Sequence, residues 1–422
     1  MPTASILIKP SSANCNIDCK YCFYKCLSSN REEYSKGFMT DETLEKLIIQ
    51  AIDYAEDYLA FAFQGGEPTL IGTEFFEKAV ALQKKHNHKH LTIENTIQTN
   101  GILIDERWAE FFARNHFLVG LSLDGPKKIH DHYRVDVQGN PTFVKVMHTV
   151  SLFEQYHVDY NILSVITDEA AKKASYMYQF YKRNRFSYVQ LIPCMDEQKR
   201  DVGSNKDEHL YGCAASQRHE PLSGHGVFQG HEQKQGTQKE NISGTDVRNG
   251  QFAVGAEGYG KFLCEIFDLW YADFCNGLQM DIRMFSNLAQ MAAGYPPEEC
   301  GMCGQCNCYF VVEGDGSVYP CDFYCMDEWK LGTVEDSFKN MIGSDKAKEF
   351  VETSLGMAGK CKTCPYVSLC RGGCRRWREP LQGENGGLNQ LCGAYEIFFE
   401  HTWDRIQKLG QYIRKKYCNC RN

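Results

Sequence analysis

Six short apolar runs in the first half of the chain constrain its fold more than any other feature. Helical patterns separate them, such as DETLEKLIIQAIDYAEDYL, which opens with an Asp in the N-cap position and carries apolar residues at three-to-four spacing. Alternating strands and helices indicate a parallel sheet. Six steps are two short of a closed eight-unit barrel, so this α/β region is predicted to be an open six-unit barrel or a doubly wound sheet. The runs are ASILIK, FAFQGG, LTIENTIQTNG, FLVGLSLDG, YNILSVIT and SYVQLIP.

The composition indicates a soluble cytoplasmic protein with metal or redox chemistry. The chain has 422 residues, 43% of them hydrophobic, which is enough for two domains. Its 21 cysteines suggest metal or redox sites rather than disulfides, because the N-terminus lacks the pattern of a signal peptide. A net charge of −8 without a basic stripe argues against a nucleic-acid partner. No apolar run reaches membrane-spanning length.

Composition also divides the chain into four predicted segments. Residues 1–197 form the α/β core, and residues 198–250 form a polar, mobile insertion whose histidines lack ligand spacing. Residues 251–280 contain a connecting amphipathic helix closed by Gly277. Residues 281–422 hold most of the cysteines and end in a helix.

The first cysteine motif follows the first predicted strand. Its spacing is Cys15-x3-Cys19-x2-Cys22. Structural zinc sites need four ligands, whereas three thiols on a four-iron, four-sulfur (4Fe–4S) cluster leave one iron open for a substrate or cofactor. Cys26 is an alternative fourth ligand.

This motif resembles the cluster motif of the radical S-adenosylmethionine (SAM) enzymes, in which SAM binds the open iron. The segment QGGEPTL resembles the GGEP motif of the same family, with Gly65 and Gly66 allowing close backbone approach and Glu67 accepting from an ammonium group. The resemblance implies a partial (β/α)6 radical SAM barrel. It also implies SAM contacts at Tyr21, Gly66, Ser122, Arg134 and Met195.

The second set of cysteines has the spacing Cys306-x9-Gly316-x4-Cys321, then Cys361-x2-Cys364-x5-Cys370-x3-Cys374, then Cys392. This pattern resembles the SPASM extension of peptide-modifying radical SAM enzymes, with Cys300 as one further ligand. Two zinc knuckles are the alternative that the spacings alone leave open. The resemblance implies two further 4Fe–4S clusters, three in all, although Cys303, Cys308 or Cys325 is an alternative ligand in this region. One cluster would take Cys300, Cys306, Cys321 and Cys374, and the other Cys361, Cys364, Cys370 and Cys392.

Within this class the chain is most similar to anaerobic sulfatase-maturating enzymes, through segments such as FAFQGGEPTL, FLVGLSLDGP and VVEGDGSVYPCDFY. The resemblance implies oxygen-independent oxidation of a sulfatase Cys, or Ser, to formylglycine, after a 5′-deoxyadenosyl radical abstracts hydrogen from Cβ. Asp322 would be the catalytic base. The implied partners are a sulfatase segment Cys/Ser-x-Pro-x-Arg and an electron donor such as a ferredoxin or flavodoxin, and the enzyme would be a monomer.

Two other functions remain open. A SPASM enzyme could crosslink or epimerise a ribosomal peptide, but such enzymes usually carry a peptide-binding domain, often before the barrel, and here the cluster loop begins at residue 15. A non-catalytic electron carrier or zinc scaffold would have no use for the GGEP segment.

Overall fold

A computed structural model describes residues 4–195, 252–278, 280–381 and 387–418 of the chain. The predicted insertion at residues 198–250 lies outside the described residues. Among the helices described, none is both long enough and apolar enough to cross a membrane.

One ten-stranded sheet organises the described chain, and all six predicted strands are present in it. The order β10-β9-β8-β1-β2-β3-β4-β5-β6-β7 follows the sequence from β1 to β7, and each neighbouring pair in that run is parallel. A doubly wound sheet would reverse its order at a switch point, so the open, singly wound barrel is confirmed. The strands are Ala4–Ile8 (β1), Tyr58–Phe63 (β2), Thr92–Thr99 (β3), Leu118–Ser122 (β4), Tyr160–Ile166 (β5), Tyr188–Pro193 (β6), Asp281–Ile282 (β7), Phe310–Val312 (β8), Ser317–Tyr319 (β9) and Gly332–Thr333 (β10).

Helices connect the parallel strands and cover the sheet, which is typical of βα units. Those of the barrel region are Phe23–Ser29 (α1), Asp41–Tyr54 (α2), Thr73–His86 (α3), Glu106–Arg114 (α4), Lys127–Tyr133 (α5), Phe143–Tyr156 (α6), Asp168–Ala171 (α7) and Ala174–Arg183 (α8). The later ones are Ala256–Cys275 (α9), Arg283–Ala292 (α10), Phe338–Ile342 (α11), Asp345–Glu352 (α12), Val367–Cys370 (α13) and Cys392–Cys418 (α14).

The start of α2 corrects one prediction. Its N-cap is Thr40, whose side chain accepts from the Thr43 N–H, and Asp41 is the first helical residue. Both residue types can cap, but Thr40 has the extended backbone that a cap requires. The helix also ends at Tyr54, because the rest of the predicted segment leads into β2.

The C-terminal region joins the barrel through the sheet and through α14. Strand β8 pairs in parallel with β1, and β9 returns antiparallel to β8. Helix α14 packs against α9, where Gly260 lies so close to Ala394 that an added Cβ would be 3.0 Å from the Ala394 carbonyl oxygen. The predicted C-terminal helix is therefore present. Because β1 and β8 pair, one sheet connects the strand before the three-cysteine loop with the cysteine-rich C-terminal region.

Candidate active site

The loop with Cys15, Cys19 and Cys22 follows β1, at the carboxyl edge of the sheet. Its backbone is held by the segment after α5: the Asp18 N–H donates to the Val135 carbonyl at 2.7 Å, and the Lys20 N–H to the Tyr133 carbonyl at 3.0 Å. Active sites of barrel enzymes lie at this edge because the loops after the strands converge there.

In this loop Cys19 is buried and Cys15 and Cys22 are partly buried, with polar side chains nearby. Asn100 Nδ2 is 3.9 Å from the Cys15 sulfur, and Arg134 Nη1 is 3.8 Å from the Cys19 sulfur. Burial raises the pKa of Cys15 to about 12, with the Glu67 carboxylate adding to the shift. Burial raises the pKa of Cys19, and Cys22 and Cys15 both add to the shift, so the three thiols are neighbours. A bound cation favours the thiolate form, and three neighbouring thiols fit an iron–sulfur cluster.

The other predicted SAM contacts lie along the same edge of the sheet. Gly66 follows β2, Ser122 ends β4, and Met195 is two residues beyond β6. Arg134 follows α5 and forms an ion pair with Asp124, with its Nε 3.1 Å from Oδ2. The Tyr21 hydroxyl donates to the same carboxylate. Tyr21 and Arg134 thus lie at the three-cysteine loop, while Gly66, Ser122 and Met195 follow or end strands along the same edge.

Asp124 joins these parts, although it was not among the predicted contacts. It is fully buried, and its other oxygen, Oδ1, accepts from the Val165 N–H at 3.0 Å. Its carboxylate therefore links the cluster loop, Arg134 and β5. The sequence signal was its position directly after a predicted strand, in the segment GLSLDGP.

The GGEP segment packs against the cluster loop itself. A Cβ on Gly66 would lie 2.2 Å from the Asn14 carbonyl oxygen, and the φ of Gly66 is +55°, so this position requires glycine. Glu67 is buried, and its Oε1 accepts from the Thr69 N–H and hydroxyl and from the Thr99 hydroxyl, while Oε2 accepts from the Asn100 N–H. The close backbone approach expected toward a ligand is thus made to the chain's own loop.

Asp322 reaches the same edge from the C-terminal region. Its Oδ2 accepts from the Tyr24 hydroxyl at 2.6 Å and from Gln64 Nε2 at 3.2 Å. Gln64 Nε2 also donates to the Tyr24 hydroxyl, at 2.6 Å. Tyr24 lies two residues after Cys22 and Gln64 two before Gly66, so these contacts bring the predicted base to the barrel's site.

A buried charge network supports Asp322. Lys9, which follows β1, lies 3.1 Å from Asp322 Oδ1 and 3.3 Å from Glu313 Oε1, and Arg31 Nη1 lies 2.9 Å from Glu313 Oε1. The Asp322 and Glu313 carboxylates raise the pKa of Lys9 above its ordinary value, against the opposing effect of burial. Two cations balance two carboxylates, as buried charges require. Sequence reasoning missed Lys9, whose signal was a cation at the end of an apolar strand.

The first predicted auxiliary set is brought together near Asp322. Burial raises the pKa of Cys300 to about 12, and the nearby Cys374 and Cys306 thiols add to it. Burial likewise raises the pKa of Cys321, with Cys374 and Cys300 contributing. Thiols that perturb one another in this way share one site, although Cys321 and Cys374 are far apart in sequence.

The second predicted auxiliary set lines a separate cavity beneath α14. Burial raises the pKa of Cys370 to about 11, and Cys392, Cys361 and Cys364 add to the shift. All four line one pocket with Lys360, Tyr366, Val367, Gly372, Tyr395, Glu396 and Phe399. Cys374 lies near Cys321 and does not line this pocket, whereas the assignment of the eight thiols to two clusters remains a prediction.

The three alternative ligands differ in their surroundings. Burial raises the pKa of Cys308, with Cys306 adding to the shift, and Cys303 adds to the shift of Cys300, so both lie beside the first auxiliary set. Cys303 donates to the Glu299 carbonyl and Cys325 to the Cys321 carbonyl, at 3.7 and 3.6 Å. Cys325 is buried beside Lys9 rather than within either set.

This fold and this site define the radical SAM class with a SPASM extension. The Radical SAM superfamily matches residues 10–172, and the SPASM iron-sulfur cluster-binding domain matches residues 297–365.

Full-length relatives narrow the class. The chain is 41% identical to the cysteine-type anaerobic sulfatase-maturating enzyme of Clostridium perfringens strain 13, covering 98% of this chain and 100% of the relative. It is 33% identical to the serine-type enzyme of Bacteroides thetaiotaomicron, covering 94% and 89%. The chain therefore belongs to the anaerobic sulfatase-maturating enzymes, and it is a radical SAM oxidoreductase.

Solved structures agree. Native anSMEcpe with bound AdoMet and Cp18Cys peptide is 39% identical, with a TM-score of 0.81 over 98% of this chain and 100% of that chain. Streptococcus suis SuiB bound to S-adenosylmethionine is 15% identical with a TM-score of 0.56, covering 93% of this chain and 77% of that chain, and shares the fold alone.

Proposed function

We propose that this enzyme oxidises the active-site cysteine of a sulfatase, within a Cys-x-Pro-x-Arg segment, to formylglycine without oxygen. The observation that carries the proposal is the placement of Asp322. Its carboxylate lies next to Cys321 in sequence and contacts Tyr24 and Gln64 at the edge of the sheet where the SAM-contact positions lie. Asp322, whose carboxylate can accept a proton, thus connects the region of the three-cysteine loop with the auxiliary cysteine Cys321.

Three 4Fe–4S clusters would serve this reaction. Cys15, Cys19 and Cys22 would hold the first and leave its fourth iron to SAM, and each auxiliary set of four thiols would hold another. When bound, the first cluster with SAM supplies a 5′-deoxyadenosyl radical that removes hydrogen from the substrate Cβ, and the auxiliary cluster on Cys321 supplies an electron acceptor. SAM would contact Tyr21, Gly66, Glu67, Ser122, Arg134 and Met195.

Residues of the protein accept the proton that the substrate cysteine loses during its oxidation. Conversion of the cysteine to a thioaldehyde releases one proton after hydrogen abstraction, and Asp322 is the base that accepts it. Tyr24, Gln64 and Lys9 fix the direction of its two oxygens, so the carboxylate needs little reorganisation. Water then hydrolyses the thioaldehyde to formylglycine and hydrogen sulfide.

Similarity to the cysteine-type relatives supports the proposed cysteine preference. Three cysteine-type enzymes of Clostridium are 38–41% identical to the chain, whereas the serine-type enzymes are 28–33% identical. The acidic net charge favours a substrate segment that carries Arg.

The proposal includes the division of the chain and its partners. Residues 1–197 are the radical SAM core and residues 281–422 the SPASM domain, with the insertion at 198–250 and the connecting helix at 251–280 between them. The enzyme acts as a monomer that receives electrons from a ferredoxin or flavodoxin.

Paired peptides test this function. Anaerobically reconstituted enzyme, SAM and a strong reductant are incubated with a Cys-x-Pro-x-Arg peptide or its serine counterpart, and both products are measured by mass spectrometry. We expect formylglycine from the cysteine peptide at least about tenfold faster, the size of a modest specificity difference. Equal rates would remove the cysteine preference. A crosslinked or epimerised peptide without formylglycine would overturn the function.

A further inference from the structure

His130 closes a ring of interactions behind the SAM-contact edge. The Asp124 N–H donates to His130 Nδ1 at 3.3 Å, and His130 Nε2 lies 3.0 Å from the Thr142 hydroxyl oxygen. The Thr142 hydroxyl donates to the Arg134 carbonyl at 2.7 Å. The Asp124–Arg134 ion pair completes the ring.

The directions of these bonds are fixed by chemistry. A backbone N–H can only donate, so Nδ1 is an acceptor and the proton of the imidazole resides on Nε2. Because the Thr142 hydroxyl gives its own proton to the Arg134 carbonyl, it must accept from Nε2. Burial lowers the pKa of His130 to about 4, which keeps its imidazole neutral near pH 7.

The ring also reaches the cluster loop. Residues 133–136 hold that loop through the Val135 and Tyr133 carbonyls, and Thr142 anchors the Arg134 carbonyl between them. The Arg134 side chain, in turn, extends to the Cys19 sulfur and the Asp124 carboxylate. His130 and Thr142 are fully buried, so neither side chain is accessible from the surface.

We propose that His130 and Thr142 are positioning residues that hold Arg134 and its segment in the conformation that contacts SAM. This inference rests on the proposed SAM contact of Arg134. The residues act through the backbone rather than on SAM itself, so their effect should appear in SAM binding and not in the later proton transfer at Asp322.

Matched substitutions separate positioning from general stability. Thr142→Val keeps the shape of the side chain but removes its hydroxyl, whereas Thr142→Ser retains the hydroxyl. His130→Phe keeps a ring without hydrogen bonds, and His130→Gln retains one acceptor and one donor. The control is Asn95→Leu, which breaks a buried side-chain pair with Gln83 at 2.8 and 2.9 Å in the amino-terminal half of β3.

The dissociation constant of SAM is measured per intact cluster, by titrating the electron paramagnetic resonance signal of the reduced protein. We expect Thr142→Val and His130→Phe to weaken SAM about tenfold, the usual effect of an unsatisfied buried group. Thr142→Ser, His130→Gln and Asn95→Leu should stay within about twofold of the parent, and the ratio of formylglycine to 5′-deoxyadenosine should not change.

An Arg134→Gln variant keeps the two inferences apart. If it binds SAM weakly while Thr142→Val binds normally, the positioning role is wrong and the SAM contact stands. If Arg134→Gln binds SAM as tightly as the parent does, Arg134 does not contact SAM. The proposed positioning role of His130 and Thr142 is then also wrong. Should His130→Phe fail to fold, the Thr142 pair decides alone.

Discussion

The barrel and the cysteine-rich region hold their cysteines in different ways. In the barrel, the three-cysteine loop is clamped by strand ends, by backbone hydrogen bonds to residues 133–136 and by buried side chains. The second auxiliary set lies largely on short helical turns, of which α13 spans only Val367–Cys370. Such turns have few backbone bonds of their own. From this difference we expect the barrel loop to keep its shape without a cluster, and the cysteine-rich region to need bound clusters for its shape.

Removing the first cluster should cost all activity and little structure. We expect the Cys15, Cys19 and Cys22 triple alanine variant to lose 5′-deoxyadenosine formation entirely and to fall from about 12 irons to about 8. Its helix content by circular dichroism should match the parent, because the hydrophobic core of the barrel is independent of these thiols. Unfolding of this variant would show that the barrel also depends on its cluster.

Asp322 belongs to the cysteine-rich region and contacts the barrel through Tyr24 and Gln64. Its substitution tests whether radical formation and proton removal can be separated. Asp322→Asn keeps the shape but cannot accept a proton at neutral pH. We expect 5′-deoxyadenosine still to form, while formylglycine forms about a hundredfold more slowly, the typical effect of losing a general base. The informative quantity is the ratio of the two products in one tube, with iron content checked. An unchanged ratio would assign the base elsewhere.

How far the sequence predicted the molecule also differs between the regions. The six barrel strands were found because each carries a short apolar run that a parallel sheet buries. Strands β8 and β10 have three and two residues, too few for any periodicity, so the extension of the sheet beyond β1 was missed. The contacts of Asp322 were also out of reach, because Tyr24 and Gln64 lie 298 and 258 positions away.

The cysteine sets show what family resemblance adds to spacing. Spacing alone favours pairing Cys374 with its neighbours Cys361, Cys364 and Cys370. The resemblance implied the crossed grouping, and the structure places Cys374 with Cys300, Cys306 and Cys321. Cys374 and Cys300 lie far apart in the sequence, so this proximity is a tertiary effect that local spacing does not encode.

Removing the second auxiliary set should loosen its region more than removing the first cluster loosens the barrel. We expect alanine at Cys361, Cys364, Cys370 and Cys392 to remove about four irons. Trypsin should then cleave at Lys360, Lys362 and Arg371 at least about tenfold faster, because local opening exposes them. Cys264→Ala in α9 is the control and should change neither iron content nor cleavage. Equal protease resistance would contradict the dependence on clusters.

The smallest effect compares two equivalent helix caps, one in each region. The Thr40 hydroxyl accepts from the Thr43 N–H at 3.1 Å at the start of α2, and the Ser344 hydroxyl accepts from the Ala347 N–H at 3.2 Å at the start of α12. Alanine at either position should lower the local stability of its helix by about 1 kcal/mol in the reconstituted enzyme. Hydrogen exchange with mass spectrometry measures this for each helix separately.

Iron-free protein should separate the two caps. Helix α2 packs its buried leucines and isoleucines on the barrel core, so Thr40→Ala should keep its effect without iron. Helix α12 leads to Ser354, whose hydroxyl accepts from the Cys306 N–H at 2.8 Å, so the end of the helix is bonded to the backbone of a cysteine of the first auxiliary set. Without iron we expect α12 to be open already, and Ser344→Ala to change its exchange by less than about 0.3 kcal/mol. An undiminished effect in iron-free protein would mean that the cysteine-rich region, like the barrel, folds before its clusters arrive.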